Sequence, residues 1–387
     1  MSGLDFEAAI VGGGLSGLAA AVAVAKAGLS AIHVVPTGPP DRRTSALMQP
    51  SVDYLRSAGL IAEPGAIGEP LTRIRIIDAT RRLIRAPETL FDSAEAGLAA
   101  FGWNFPNVRL TEAFETAKAG FANLSSIETS VSEIESASGG HRLSLADGQM
   151  LTVGLVVGAD GKKSRIRESG GFRARESGFT QAALVCDLNL GTPLGGTSVE
   201  FHYEQGPFTL VPAGGNRANL VWIDDRAVLK VAQEGGSERL REIFEEKSQG
   251  LFGAIELLIP AHMFLLSTLS VEHAGRGGIV LVGEAAHAFP PIGAQGLNLG
   301  LRDVADLALA VEGADRSNPG SAVAVSEDYS RRRTADLMRT GAMVDGLFRS
   351  LLSDFLPTQA LRAGGLWALK SLPPLRKAAF SLGMGIR

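Results

Sequence analysis

Cysteine is almost missing from this 387-residue chain, which carries one, Cys186. A single thiol excludes a disulfide framework and a cysteine-based zinc site, and its place on an apolar run reads as core. A basic excess is missing as well. Lys and Arg number 37 against 41 Asp and Glu, a net charge of −4, so no global positive field invites nucleic acid. Long apolar runs are also absent: the longest, Leu18 to Ala25, falls far short of the roughly 20 residues that span a bilayer. Met1 to Glu7 carries Asp5 and Glu7 and no basic stretch, so it does not read as a secretory signal. These absences describe a cytoplasmic globular protein without a metal site. The hydrophobic fraction of 45% can fill a large core, and the length suits two closely interwoven domains.

Glycine, by contrast, is plentiful at 47, and much of it falls in three loops of ligand-binding type. The first follows a short apolar strand, Ala8 to Val11, and reads Gly12-Gly13-Gly14-Leu15-Ser16-Gly17. An apolar helix from Leu18 to Ala27 comes next, so G-x-G-x-x-G stands in the strand–turn–helix setting that binds a dinucleotide. Gly12 makes the turn, Gly14 admits a pyrophosphate, and Gly17 lets helix and strand pack. The next strand, Ala31 to Val35, lacks the usual acid for a ribose hydroxyl; Val35, Pro36 and Thr37 stand there instead. Beyond it, Arg42 and Arg43 offer bidentate contacts to a diphosphate.

The second loop, Gly158-Ala159-Asp160-Gly161 running on to Arg167, ends a buried strand and puts Asp160 at a sheet's carboxyl edge. The third is the longest, from Ile279 to Asp303. A buried strand to Val282 breaks at Gly283, Pro290, Pro291, Gly293 and Gly296 stiffen the loop, and a helix starts near Leu297. Glycines here bring backbone N–H groups close to a ligand, and the helix aims its positive end at an anionic or electron-rich group.

Between these loops the patterning alternates. Leu71 to Asp78 reads as a strand with Arg81 to Ala86 as its hairpin return, and Thr111 to Phe121 as a helix after the aromatic patch Phe101 to Asn107. Ile127 to Ile134, Arg142 to Leu145 and Met150 to Val157 read as three strands. From Thr180 a β-rich insert, Gln181–Leu190 through Ala218–Ile223 and Phe264–Glu272, is the natural place for a substrate. A helix from Ser237 to Lys247 with a serine cap interrupts it, and helices from Ala322 to Phe355 and a Pro-broken tail close the chain. The expected FAD-binding domain comprises residues 1–70, 98–178 and 274–330, the substrate domain 71–97 and 179–273, and a C-terminal helical segment 331–387. The tail from Phe355 is charged only by Arg362, Lys370, Arg376, Lys377 and Arg387, with Leu361, Leu366, Trp367, Leu369, Leu372 and Leu375 between them. Basic and apolar together, it suits the surface of an anionic bilayer.

In this order, Gly12–Gly17, Gly158–Arg167 and Gly283–Asp303 resemble the three signatures of the class A flavoprotein monooxygenases, the group of para-hydroxybenzoate hydroxylase. A-Q-G-L-N-L-G-L-R-D-V at 294–304, G-P-F-T-L-V-P at 206–212, R-R-T-S-A-L at 42–47 and L-P-P-L-R-K at 372–377 resemble the ubiquinone-biosynthesis hydroxylases within it. The resemblance implies an α/β fold, a Rossmann-like FAD-binding domain interwoven with a β-sheet substrate domain and C-terminal helices. It implies that Gly12, Gly14, Leu15, Ser16 and Gly17 hold the FAD diphosphate, supported by Arg43 and Thr44, with Val35 and Pro36 near the ribose. Asp160 then lies by the diphosphate, and Gly283 and Glu284 meet ribityl and diphosphate oxygens, Glu284 standing where most of the family has aspartate. Pro291, Gly293, Gln295, Gly296, Leu297 and Asn298 surround the isoalloxazine, and Gln295 and His287 are the candidates for catalytic contact.

The implied activity is hydroxylation of an electron-rich ring with NAD(P)H and O2, on a polyprenylated phenol in ubiquinone biosynthesis. No second G-x-G-x-x-G has strand–helix context, so no separate nicotinamide domain is expected. A soluble aromatic or polyketide substrate, and a non-catalytic FAD-binding accessory protein, are the alternatives. A homo-oligomer or biosynthetic complex, and peripheral contact with the inner membrane face, are consistent with that setting.

Overall fold

The computed structural model describes residues 3–315, 318, 320–352, 356–372, 375, 376, 379, 380 and 384. β1 (Phe6–Val11) feeds α1 (Leu15–Lys26) and β2 (Ala31–Val35). β3 (Thr44–Met48), α2 (Gln49–Ala58), β4 (Glu69–Leu71), β5 (Arg73–Asp78) and β6 (Thr89–Asp92) follow. β7 (Gly102–Pro106), α3 (Asn107–Lys118), β8 (Leu124–Glu128), β9 (Val131–Ala137), β10 (Gly140–Leu145) and β11 (Met150–Gly158) lead to a single turn, α4 (Arg165–Ser169). β12 (Ala174–Leu190), β13 (Thr197–Tyr203), β14 (Gly206–Pro212) and β15 (Arg217–Asp225) precede α5 (Arg226–Glu234) and α6 (Gly236–Lys247). The chain closes with β16 (Ile255–Leu257), β17 (His262–Val271), β18 (Gly275–Arg276), β19 (Ile279–Leu281), β20 (His287–Ala288), α7 (Gln295–Glu312), α8 (Ser321–Leu352) and α9 (Leu356–Ser371).

Two large sheets result. The first runs β18-β19-β11-β1-β2-β8, with β10 and β9 folded onto β11. Its central pairs are all parallel. Parallel strands are joined by crossovers that cover both faces, which is why Ala8, Ala9, Ile10, Val156 and Val157 are buried without alternation. The chain leaves β1 towards β2 on one side and later returns through β11 on the other. That reversal opens a crevice at the carboxyl end of β1.

The second sheet runs β20-β17-β12-β15-β14-β13-β5-β6 and is mostly antiparallel. Its strands alternate, so each face has its own role. Leu184, Cys186, Leu188, Leu220 and Trp222 pack one face against Leu229 of α5 and Leu240 and Phe244 of α6. Burial pushes the Cys186 thiol up to about 12, as suits a core residue. Ala183 and Ile223 turn the other way and meet Ile292 and Phe348. A small sheet, β3-β7-β4, lies between the two units.

Several local expectations are corrected. The return strand from β5 is β6, not Arg81 to Ala86. That segment is a loop tied down by Asp78, whose Oδ2 accepts from the Ala86 N–H at 2.8 Å and Oδ1 from the Thr80 hydroxyl at 2.6 Å. Ile127 to Ile134 is the junction of two strands, β8 and β9. α3 starts at Asn107 rather than Thr111. α6 starts from Gly235 and Gly236 without a serine cap, because the preceding helix α5 runs straight into it. α7 begins at Gln295, two residues before Leu297. The final helix stretch, expected to Phe355, is described to Leu352; residues 353–355 lie outside the described ones.

α7 and α8 are held by a buried ion cluster. Arg333, fully buried on α8, sits 2.7 Å from Asp303, 2.9 Å from Asp306 and 2.7 Å from Asp336. Burial alone would raise the Asp303 carboxyl. The charges of His287 and Arg333 and the hydrogen bonds from His287 and the Gly283 N–H outweigh it and hold Asp303 below the usual carboxylate range. A lowered folded value means that this stabilisation is complete above the ordinary carboxylate pKa and is lost as pH falls through the folded one. Asp303→Asn is expected to cost about 3 kcal/mol at neutral pH, since it leaves a buried guanidinium short of its charge partner. Urea unfolding should show the two midpoints converging below about pH 4; a constant gap down to pH 2 would refute the assignment.

Candidate functional site

The three glycine loops meet at the carboxyl ends of β1, β11 and β19. Gly12 has φ +126°, and a Cβ there would lie 2.2 Å from the Ala159 carbonyl oxygen, so the first loop rests on the second. A Cβ at Gly17 would lie 2.0 Å from the Gly12 oxygen, which fixes how closely α1 packs on the turn. Gly14 differs: a Cβ would meet nothing within 4 Å, leaving open space beside exposed backbone. Ser16 faces the third loop, its Oγ 2.8 Å from where a Gly283 Cβ would stand. Beneath them, buried His33 binds the Gly12 oxygen through Nε2 at 2.9 Å. A carbonyl only accepts, so that nitrogen carries the proton. Burial holds the His33 imidazole below its usual range and keeps it neutral.

The second loop is anchored by Asp160 and Arg167. Asp160 Oδ2 accepts from the Ile166 N–H at 3.1 Å, while its Oδ1 is buried with no hydrogen-bond partner. An unpaired buried oxygen costs about 1–3 kcal/mol, so its position beside the Gly12 turn fits a ligand that brings a donor. Arg167 donates to the carbonyls of Ala285 and Lys162 at 3.0 and 2.7 Å, tying the second loop to the third.

Arg43 departs from expectation. Its guanidinium forks onto Asp41, with Nε and Nη2 each 2.8 Å from a carboxylate oxygen, so only the outer part of the fork, on a side chain that stays exposed, remains for a diphosphate. Burial would raise the Asp41 carboxyl, but Arg43 outweighs it and holds the carboxyl low. Asp41 in turn holds Arg43 high, helped by the nearby charge of Glu284. Glu284 is exposed at the head of the third loop. Thr44 opens β3 opposite Pro106, and Val35 ends β2 with exposed Pro36 after it.

The third loop is stiff. Ala294 is held at φ +53°, a left-handed conformation that costs an L residue about 1 kcal/mol and is kept only where neighbours impose it. Gln295 is buried and donates from Nε2 to the Gly293 oxygen at 2.9 Å. Asn298 clamps β3: its amide donates to the Ala46 oxygen at 2.9 Å and accepts from the Met48 N–H at 2.8 Å. Pro291 and Gly296 are exposed and Leu297 half-buried, so the loop presents backbone and short side chains to the crevice. His287 is not at that surface. It is buried, stacked on Phe289, and bonded through Nε2 to Asp303 at 2.6 Å, the place of a loop-bonding residue rather than a base.

Sequence reasoning did not single out four groups. Asp303 stood inside the third loop's motif but was read only as a polar residue between apolar ones. Arg333 sits in an Arg-Arg-Arg run that looks like a solvated face. His33 shows no signal within an apolar strand. The last group is a buried polar chain: Asn104 Nδ2 donates to Asn219 Oδ1 at 2.7 Å, and Asn219 Nδ2 to Asp187 Oδ1 at 2.6 Å. Only the register of β12 and β15, with Asp187 opposite Asn219, puts those residues together.

The FAD binding domain family matches residues 5–335. Ubiquinone hydroxylase UbiL of Rhodospirillum rubrum is 29% identical over 386 residues, spanning 97% of this chain and 89% of that protein. The 3-demethoxyubiquinol 3-hydroxylase of Escherichia coli is 25% identical over 399 residues and spans both chains fully, 100% of each. Among solved structures, p-nitrophenol 4-monooxygenase PnpA of Pseudomonas putida DLL-E4 superposes with a TM-score of 0.80 at 20% identity, covering 98% of both chains. PqsL of P. aeruginosa, in complex with 2-aminobenzoylacetate, gives 0.76 at 19% identity, covering 94% of this chain and 99% of that one. These structures share the fold.

Gly14 and Gly17 separate ligand binding from folding. Gly14→Val should keep its melting temperature within a few degrees and lose FAD, because the side chain would fill the open space by the turn. Gly17→Val should fail to fold, its side chain driven into the Gly12 carbonyl. Flavin absorbance after desalting, with thermal melts, checks both; stoichiometric FAD in Gly14→Val would remove the first loop from the site.

Proposed function

The chain belongs to the FAD binding domain family, and on that premise we propose that it is an FAD-dependent hydroxylase of a polyprenylated phenol in ubiquinone biosynthesis, using NAD(P)H and O2. The ubiquinone hydroxylases that match it along nearly its whole length support the substrate class. Bound FAD would supply the reductive activation of dioxygen. This chain's own part is to hold, orient and dry the site. The Gly12–Gly17 turn and the start of α1 receive the diphosphate, the Asp160 carboxylate accepts from the cofactor, and the backbone around Gly293–Asn298 faces the ring. We assign residues 1–70, 98–178 and 274–330 to the cofactor unit and 71–97 and 179–273 to the substrate unit.

The observation that carries the substrate reading is the apolar contact between the third loop and the second sheet. Ile292 of the loop forms one buried cluster with Ala183, Ile223, Leu266 and Phe348, with Phe179 edge-on to Phe348 at 4.7 Å. Hydrocarbon of this kind suits an uncharged prenylated ring and excludes water. On the same sheet face, Asp187 and Asn219 supply a polar end, joined by Asn104 from the small sheet. Asn104 lies on β7 opposite Ala46, whose oxygen takes the Asn298 hydrogen bond, so this chain is tied to the flavin loop. The phenolic hydroxyl faces Asp187, which takes its proton as the ring is oxidised.

Purified protein with FAD should consume oxygen with NADH or NADPH in the presence of a prenylated phenol, and at least tenfold more slowly with short aromatic acids. Asp187→Asn should keep FAD and lose about 10² in hydroxylation. Turnover favouring a soluble aromatic acid would shift the substrate class, and no oxygen uptake with any phenol would leave a non-catalytic flavoprotein.

The C-terminal segment gives the lipid contact that such a substrate needs. No helix among the described residues is long and apolar enough to cross a membrane. On α9, Leu361 and Trp367 are exposed, and Leu372 and Leu375 beyond it are too. Lys370 and Arg376 are engaged with the Glu88 and Leu90 carbonyls, and Arg376 with Glu95, so Arg376 is covered while the apolar side chains and the exposed Lys370 face outward. Lys377, Arg387 and the Arg362 side chain lie outside the described residues. Co-sedimentation with anionic liposomes should fall when Leu361 and Trp367 are changed to Ser, with FAD retained; undiminished binding would remove α9 from the contact.

A further inference from the structure

The adenosine half of the cofactor meets an unusual strand end. β2 closes on Val35, whose Cγ1 would lie 2.5 Å from a Cβ at Gly13, so the side chain is an apolar seat under the first loop. Pro36 has no N–H, and no carboxylate follows until Asp41, which Arg43 occupies. The strand that carries the cofactor's first turn therefore has a neighbour with no carboxylate for a ribose diol.

The next strand has one. β8 pairs in parallel with β2, and the register sets Glu128, the last residue of β8, directly beside Val35. Parallel neighbours lie about 4.8 Å apart, a distance that the side chain of glutamate can span. The Glu128 side chain does lean that way: its Oε1 accepts from the Thr37 hydroxyl at 3.2 Å, which brings the carboxylate over the exit of β2. Glu128 is exposed, and a carboxylate offers about four acceptor positions, of which Thr37 uses one.

We infer that Glu128 holds the adenosine ribose hydroxyls of FAD from the neighbouring strand, filling the place that Val35 leaves empty. The inference rests on the FAD reading above and adds a cofactor residue that none of the three glycine loops contains. Thr37 acts as a positioning residue: its hydroxyl spends one Glu128 lone pair to keep the carboxylate over the ribose. Two negative charges, the carboxylate and the diphosphate, are kept apart by the length of the ribose, so the contact need not work against the first loop.

The test is equilibrium binding, read by flavin fluorescence on apoprotein. Glu128→Gln should weaken FAD by on the order of tenfold to a hundredfold, the value of a hydrogen bond to a charged group. It should leave FMN, which lacks the adenosine, unchanged, and leave the apoprotein melting temperature unchanged. An FAD analogue with a 2′,3′-dideoxy adenosine ribose should lose the same factor on the native protein and nothing further on Glu128→Gln, as a double cycle requires of one shared contact. Undiminished FAD affinity in Glu128→Gln, or equal losses for FAD and FMN, would overturn the assignment. Native protein that binds no FAD would instead overturn the reading beneath it.

Discussion

One carboxylate organises the cofactor end of this protein. Asp303 is fully buried, yet it accepts from the Gly283 N–H at 2.8 Å, from His287 at 2.6 Å, and pairs with Arg333 at 2.7 Å. Those three partners come from the turn after β19, from β20, and from α8. A buried charge with fewer partners would be expensive, so the fold has to bring all three to it. The consequence is that the backbone around Gly283, the head of the third loop, is set by an ion pair whose other half lies on α8. His287, which sequence alone leaves as either base or packing residue, belongs to this clasp.

The clasp also explains how far the sequence could be read. Glycine turns with their flanking strand and helix are local, so the first loop, the second loop and the third were legible from spacing, as were most strands of the second sheet from alternation. What was not legible depends on pairing between distant segments. Asp187, Asn219 and Asn104 are separated by 32 and 115 residues along the chain and meet only through register. Arg333 lies in a charged run whose buried member no periodicity marks. Arg43 was expected to support a diphosphate, and two of its guanidinium nitrogens are held by the carboxylate two residues before it. α5 was missed because it is short and its apolar residues do not mark one face: Leu229 and Ala232 are buried while Val228 and Val231 are exposed.

The second sheet divides its labour by parity. Even-numbered residues of β12 from Ala182 to Leu188 build a core under α5 and α6, and odd-numbered ones, Ala183, Val185 and Asp187, lie on the opposite face, where Ala183 shares a cluster with Ile292 of the third loop. Core packing therefore constrains the backbone of the strand, while the side chains of the other face stay free to vary. A one-residue slip would exchange the two sets, so the register decides which side chains face the third loop.

The pairing of β20 with β17 has a mechanical meaning. Ala288 stands opposite Leu269 and His287 opposite Ser270, and the Val271 N–H binds the Ala286 oxygen at 2.9 Å. A piece of the third loop is thus a strand of the second sheet. The 17-residue β12 adds a second seam, since residues 174–178 and 182–185 pair with β17 while residues 181–190 pair with β15 and β16. Opening the two units like a hinged shell would tear backbone hydrogen bonds along both seams. The third loop and the second sheet therefore keep one fixed spacing, and any rearrangement falls to side chains and to helices at the rim.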